Sequence, residues 1–106
     1  MKSSKIDTIR ANLESTMELT AKEIERLEEY EDETYYTIKD LENEYEDLQY
    51  PDAPYYNDEY PRKRMKEIER ELDEQRELHT IIIDELASMR ETLANIDKAL
   101  DAIAEC

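Results

Sequence analysis

The chain holds one histidine, His79, and one cysteine, Cys106, among its 106 residues. That inventory removes most of the chemistry a small protein could perform. A Ser-His-Asp triad, a Cys–His nucleophile pair and a Cys-His zinc set cannot be assembled from it. A di-iron helical bundle needs a Glu-x-x-His on each of two helices, and one histidine cannot supply both. Carboxylates are plentiful, at thirty Asp and Glu. Paired acids do general acid–base work only where an enclosed pocket pushes their pKa values apart, and an extended helical chain offers none. Glycine is absent, which excludes glycine-rich phosphate cradles, dinucleotide-binding turns and the calcium loop with its obligatory glycine. The expectation is a non-enzyme with no catalytic residue, no metal site and no cofactor. Cys106, the last residue, has no second cysteine to pair with.

What remains is recognition, and charge says where to look for it. Residues 1–27 carry five acids and five bases. Residues 28–60 carry thirteen acids against the single base Lys39, and residues 61–106 carry twelve acids and eight bases. Twelve units of the formal charge of −16 therefore belong to one third of the chain. All eight tyrosines (30, 35, 36, 45, 50, 55, 56 and 60) lie in that same stretch. Tyrosine offers a large, stiff contact area with a polar tip, as protein-binding surfaces use. The candidate partner-binding residues are Asp32, Glu33, Tyr36, Glu42, Glu44, Glu46, Asp47, Tyr50, Asp52, Tyr55, Tyr56, Asp58, Glu59 and Tyr60. Tyr45 is set apart as core, because it holds a place in the apolar repeat described next.

The elements that position these residues are legible from periodicity. From Ile6 onward the apolar residues alternate steps of three and four. Written as heptads, position a holds Arg10, Met17, Ile24, Glu31, Ile38 and Tyr45. Position d holds Ile6, Leu13, Thr20, Leu27, Thr34, Leu41 and Leu48. A seam kept in one frame over six heptads predicts a coiled-coil helix. Ser4 and Asp7 have the spacing of a capping box, which starts that helix at residue 4 and carries it to 49. Residues 50–61 contain Pro51, Pro54 and Pro61, which a regular helix interior cannot hold, so this segment is the turn. A second helix over 62–104 places Met65, Leu72, His79, Leu86, Leu93 and Leu100 at a, and Ile68, Gln75, Ile82, Met89, Ile96 and Ile103 at d. The fold class is all-α: a long antiparallel helical hairpin, one domain over 1–106.

If facing residues have numbers adding to about 113, a layers meet d layers: Leu48 with Met65, Leu41 with Leu72, Leu27 with Leu86. The same register gathers Glu31, Thr34, Gln75 and His79 into one polar stretch, a device that fixes register at a cost in stability. The basic cluster Arg62, Lys63, Arg64 and Lys66 is then expected to face Glu42, Glu44, Glu46 and Asp47 across the turn. Ile9, Leu19, Leu78, Ile81 and Ile83 fall on flanks a two-stranded coil leaves wet. Leu78, Ile81 and Ile83 are the candidate packing flank for a homodimer or a partner helix, a four-helix bundle being the simplest such dimer.

Size and charge together resemble the acidic DNA-mimic inhibitors of phages and mobile elements, including anti-CRISPR and anti-restriction proteins. Ten carboxylates in residues 28–48 amount to about one per 3 Å of helix axis, near the ~3.4 Å per phosphate of one DNA strand. The resemblance implies a small inhibitor that occupies the basic, nucleic-acid-binding surface of a protein. Direct nucleic-acid binding is not expected at this charge. The alternatives are a coiled-coil adaptor, scaffold or chaperone subunit acting through the apolar flank, and an antitoxin. No apolar run exceeds three residues, as at Ile81-Ile82-Ile83. A soluble cytoplasmic protein without membrane partners is therefore expected, in the host cytoplasm if the source is viral.

Overall fold

A computed structural model describes residues 2–50 and 59–105. The chain is a helical hairpin of two long helices packed against each other, α1 (Lys2–Leu48, 47 residues) and α2 (Glu59–Ala104, 46 residues). The described residues contain no strand.

The heptad frame accounts for burial without remainder. Among the described residues, every buried one (Ile24, Thr34, Leu41, Leu48, Ile68, Leu72, Ile82, Leu86 and Ile96) occupies an a or d position. No described seam position is exposed. Residues 30–82 form one compact unit, and residues 1–29 with 83–106 form another. In the first, Leu41, Leu48, Ile68 and Leu72 make a continuous core, flanked by Ile38, Tyr45 and Met65. In the second, Ile24, Leu86 and Ile96 are the buried apolar residues.

Three boundaries differ from the sequence reading, each for a local reason. Ser4 is not the N-cap, because α1 already runs from Lys2. The Ser4 carbonyl accepts from the Thr8 hydroxyl at 3.0 Å, as an interior helical residue does. α1 closes at Leu48, where Gln49 and Tyr50 donate their N–H groups to Glu46 and Asp47, tightening the end into i→i−3 bonds. α2 starts at Glu59, three residues earlier than the proline pattern suggested. Pro61 then lies in the first turn, where its missing N–H would have had no helical acceptor, and Glu59 meets the positive end of the helix dipole. Pro51 and Pro54 lie outside the described residues.

Candidate functional site

Running two helices antiparallel brings like flanks together, so a residue at e faces e and one at g faces g. The cross-helix ion pairs follow that rule. Glu44 and Arg64 are both g positions, with Nε to Oε2 at 2.5 Å and Nη2 to Oε1 at 2.9 Å, a two-pronged contact. Glu42 and Arg76 are both e positions, at 3.2 Å. Glu28 and Arg90 are the e pair of the other unit, at 3.3 Å. In the unit of residues 30–82, the seam residue Tyr45 donates its hydroxyl to Glu69 at 3.0 Å.

Arg64 is the centre of the largest network. Besides Glu44 it reaches Glu67 at 3.4 Å and Glu71 at 3.3 Å, with 22% of its side chain exposed. Of the basic cluster expected to meet the acidic end of α1, Arg64 does so; Arg62, Lys63 and Lys66 are exposed. The Arg64 hydrogen bond holds the Glu44 carboxyl below its ordinary value of 4.5, against the opposing pull of desolvation and with help from the Arg64 charge. A depressed folded pKa means stability fully present above about pH 4.5 and lost as the pH falls through the folded value. Glu44→Gln is expected to cost about 1 kcal/mol at neutral pH and to flatten the acid limb of the stability curve. Thermal melts followed by circular dichroism from neutral into acid pH test this; identical acid limbs for the two proteins would exclude it. For Tyr45, the Glu69 hydrogen bond, then desolvation and the Glu69 charge, raise the pKa above 10.0.

These pairs divide the acidic run into two sets that sequence position alone does not separate. Glu42 and Glu44 point along the flanks toward α2, where arginines take them up, and Glu42 also holds Lys39 at 3.7 Å. The b, c and f positions point away from α2. In the unit of residues 30–82 the α1 residues at these positions are Asp32, Glu33, Tyr36, Lys39, Asp40, Asn43, Glu46, Asp47 and Tyr50, all exposed. Tyr36 is 65% exposed and Tyr50 57%. The Tyr50 hydroxyl donates to Glu46 at 3.4 Å. Among the described residues, no ion pair engages Asp32, Glu33, Asp40 or Asp47.

Asp40 is missing from the sequence-derived set although it lies on this face. Its c position was the signal that could have found it. On the face, the Tyr36 ring meets that of its flank neighbour Tyr35 edge to face at 5.5 Å, and the Lys39 ammonium lies 5.5 Å from the Tyr35 ring centre. Glu59 and Tyr60 are exposed in the first turn of α2. Asp52, Tyr55, Tyr56 and Asp58 lie outside the described residues, as does Cys106.

Of the expected polar stretch, Glu31 and His79 approach each other across the seam. Thr34 is buried, with its hydroxyl donating to the Tyr30 carbonyl at 2.7 Å. His79 Nε2 lies 3.9 Å from Glu31 Oε1. The flank residues Leu78, Ile81 and Ile83 are 43%, 57% and 43% exposed. Among the described residues, no group of three His, Cys, Asp or Glu side chains could hold a metal ion. No described helix is long and apolar enough to cross a membrane.

Fold and site together define a coiled-coil helical hairpin with an outward acidic and tyrosine-bearing face. Compared with known protein families, curated proteins and solved structures, the chain matches none.

Proposed function

We propose that the protein is a small non-enzymatic inhibitor whose acidic α1 face occupies a basic, nucleic-acid-binding surface of a target protein. The observation that carries this reading is that, among the described residues, no ion pair engages Asp32, Glu33, Asp40 or Asp47 on an exposed face that also bears Tyr36 and Tyr50. A fold stabilised by its carboxylates would pair them, as Glu28, Glu42 and Glu44 are paired. Like charges left at that density destabilise a helix. Five outward carboxylates from Asp32 to Asp47 fall about one per 4–5 Å of axis, sparser than the ~3.4 Å of a nucleic-acid strand. The mimicry is therefore of a negative stripe rather than of individual phosphates. Action in the cytoplasm, of a host cell if the source is viral, goes with this reading, as it does for anti-CRISPR proteins and for antitoxins.

The test begins by capturing the target from the native cell with the wild-type protein, then adding the inhibitor to a complex of that target with its nucleic acid. Wild type should displace the nucleic acid, less effectively as salt rises, while Asp32→Lys/Glu33→Lys/Asp47→Lys should not. Equal displacement by both proteins, or indifference to salt, sinks the proposal. A second reading is favoured by the exposure of Leu78, Ile81 and Ile83: an adaptor that docks a partner helix or a second copy through its apolar flank. Polar substitution at Ile81 and Ile83 would then abolish binding where charge reversal leaves it intact.

A further inference from the structure

One cleft in the unit of residues 30–82 has a composition that the outward face lacks. It encloses about 340 Å³ and is lined by Glu42, Tyr45, Glu69, Leu72, Asp73 and Arg76. Its floor is apolar, since Leu72 is a buried core residue and Tyr45 packs against the same core. Its rim carries three carboxylates and one cation. Arg76, the cation, is held by Glu42. Glu69 accepts the Tyr45 hydroxyl, and among the described residues no cation reaches Glu69 or Asp73. Glu69 and Asp73 stand four residues apart on α2, so they are neighbours on one helix face, with Cβ atoms about 5–6 Å apart.

We infer that this cleft is the seat for one arginine side chain of a protein partner. The inference rests on the reading that the partner presents a basic surface, and adds a specific anchor to it. An arginine suits both parts of the cleft. Its methylene stem lies along apolar surface while its head remains polar, which matches a Leu72 and Tyr45 floor under an acidic rim. Its planar guanidinium can span two carboxylates and stack on an aromatic face, where a lysine ammonium is a single point charge. The Glu42–Arg76 pair shows that a guanidinium fits this rim, and it leaves Glu69 and Asp73 to receive a second. Burial of the stem distinguishes this seat from the outer face, where the carboxylates stand on exposed helix with no apolar floor.

The probe is an octa-arginine peptide titrated into the full-length protein, with the Tyr45 ring and Leu72 methyl signals followed by NMR. Both signals should shift. Asp73→Lys should weaken peptide binding about tenfold, against a smaller effect of Glu91→Lys, which changes the net charge equally at an exposed site outside the cleft. Asp32→Lys/Glu33→Lys should leave the Tyr45 and Leu72 shifts in place. If the peptide moves only signals of Asp32, Glu33 and their neighbours, the cleft is not the seat, although the basic-partner reading stands. Equal weakening by Asp73→Lys and Glu91→Lys also overturns the cleft, since net charge alone would then explain binding. A peptide that perturbs no signal overturns both the cleft and the reading beneath it.

Discussion

Replacing Ile68 by alanine is expected to lower the melting temperature by at least about 10 °C. Ile68 is fully buried, at 0% exposure, and packs in one cluster with Leu41, Leu48 and Leu72. Truncating a buried isoleucine to alanine costs about 2–5 kcal/mol, from lost transfer energy and the cavity left behind. In a domain of this size each kcal/mol is worth roughly 4–8 °C. A hairpin makes the loss hard to absorb, because a two-helix seam has no second layer of side chains to collapse into the gap. Leu19→Ala is the matched control, since Leu19 is 64% exposed, and it should change the melting temperature little. Circular dichroism of the helical signal reads both. A shift for Ile68→Ala no larger than that for Leu19→Ala would mean that the core does not lie where the fold puts it.

The second large effect has the opposite sign. Glu31→Leu/His79→Leu is expected to stabilise the protein by about 1–2 kcal/mol and to raise its urea midpoint. Glu31 and His79 occupy a positions of the seam, yet their side chains are 35% and 25% exposed and their closest approach is 3.9 Å. Such a contact offers little attraction, and apolar replacement of polar seam pairs is commonly neutral or stabilising. Changing both together avoids leaving one polar group without its neighbour. The gain should come with a loss of specificity. With leucine at both positions, only Thr34 and Gln75 of the polar stretch remain to oppose a slide of one heptad, so sedimentation should show additional species. A fall in the urea midpoint would make the layer a source of stability and defeat this account.

The seam was the legible part of the sequence. Ile68, Leu72 and Leu86 announce themselves by three-four spacing, because burial along a two-stranded coil repeats with the heptad. Glu42 and Glu44 show where legibility stopped. Grouped by chain segment, they belong with Asp32, Glu33 and Asp47. Grouped by angle around the helix, they belong with Arg76 and Arg64, which remove them from the outward face. The heptad letters already contained that division, and the same letters place Asp40 on the face. Ser4 failed for another reason, since a four-residue capping signal is weak against the propensity of Lys2 and its neighbours to extend the helix. The cleft beside Tyr45 was illegible, since it depends on how far one tyrosine ring reaches across to Glu69.

The paired arginines also say something about how the chain closes. Arg64 and Glu44 are 20 residues apart, Arg76 and Glu42 are 34, and Arg90 and Glu28 are 62. Formed independently, the widest of these loops would cost only about 1 kcal/mol more than the narrowest, because closure entropy grows with the logarithm of length. Formed in order from the shortest, each pair needs only the helical turns between it and the last. The topology thus resembles a zip, and among these three ion pairs Arg64, with its three carboxylates, closes the shortest loop.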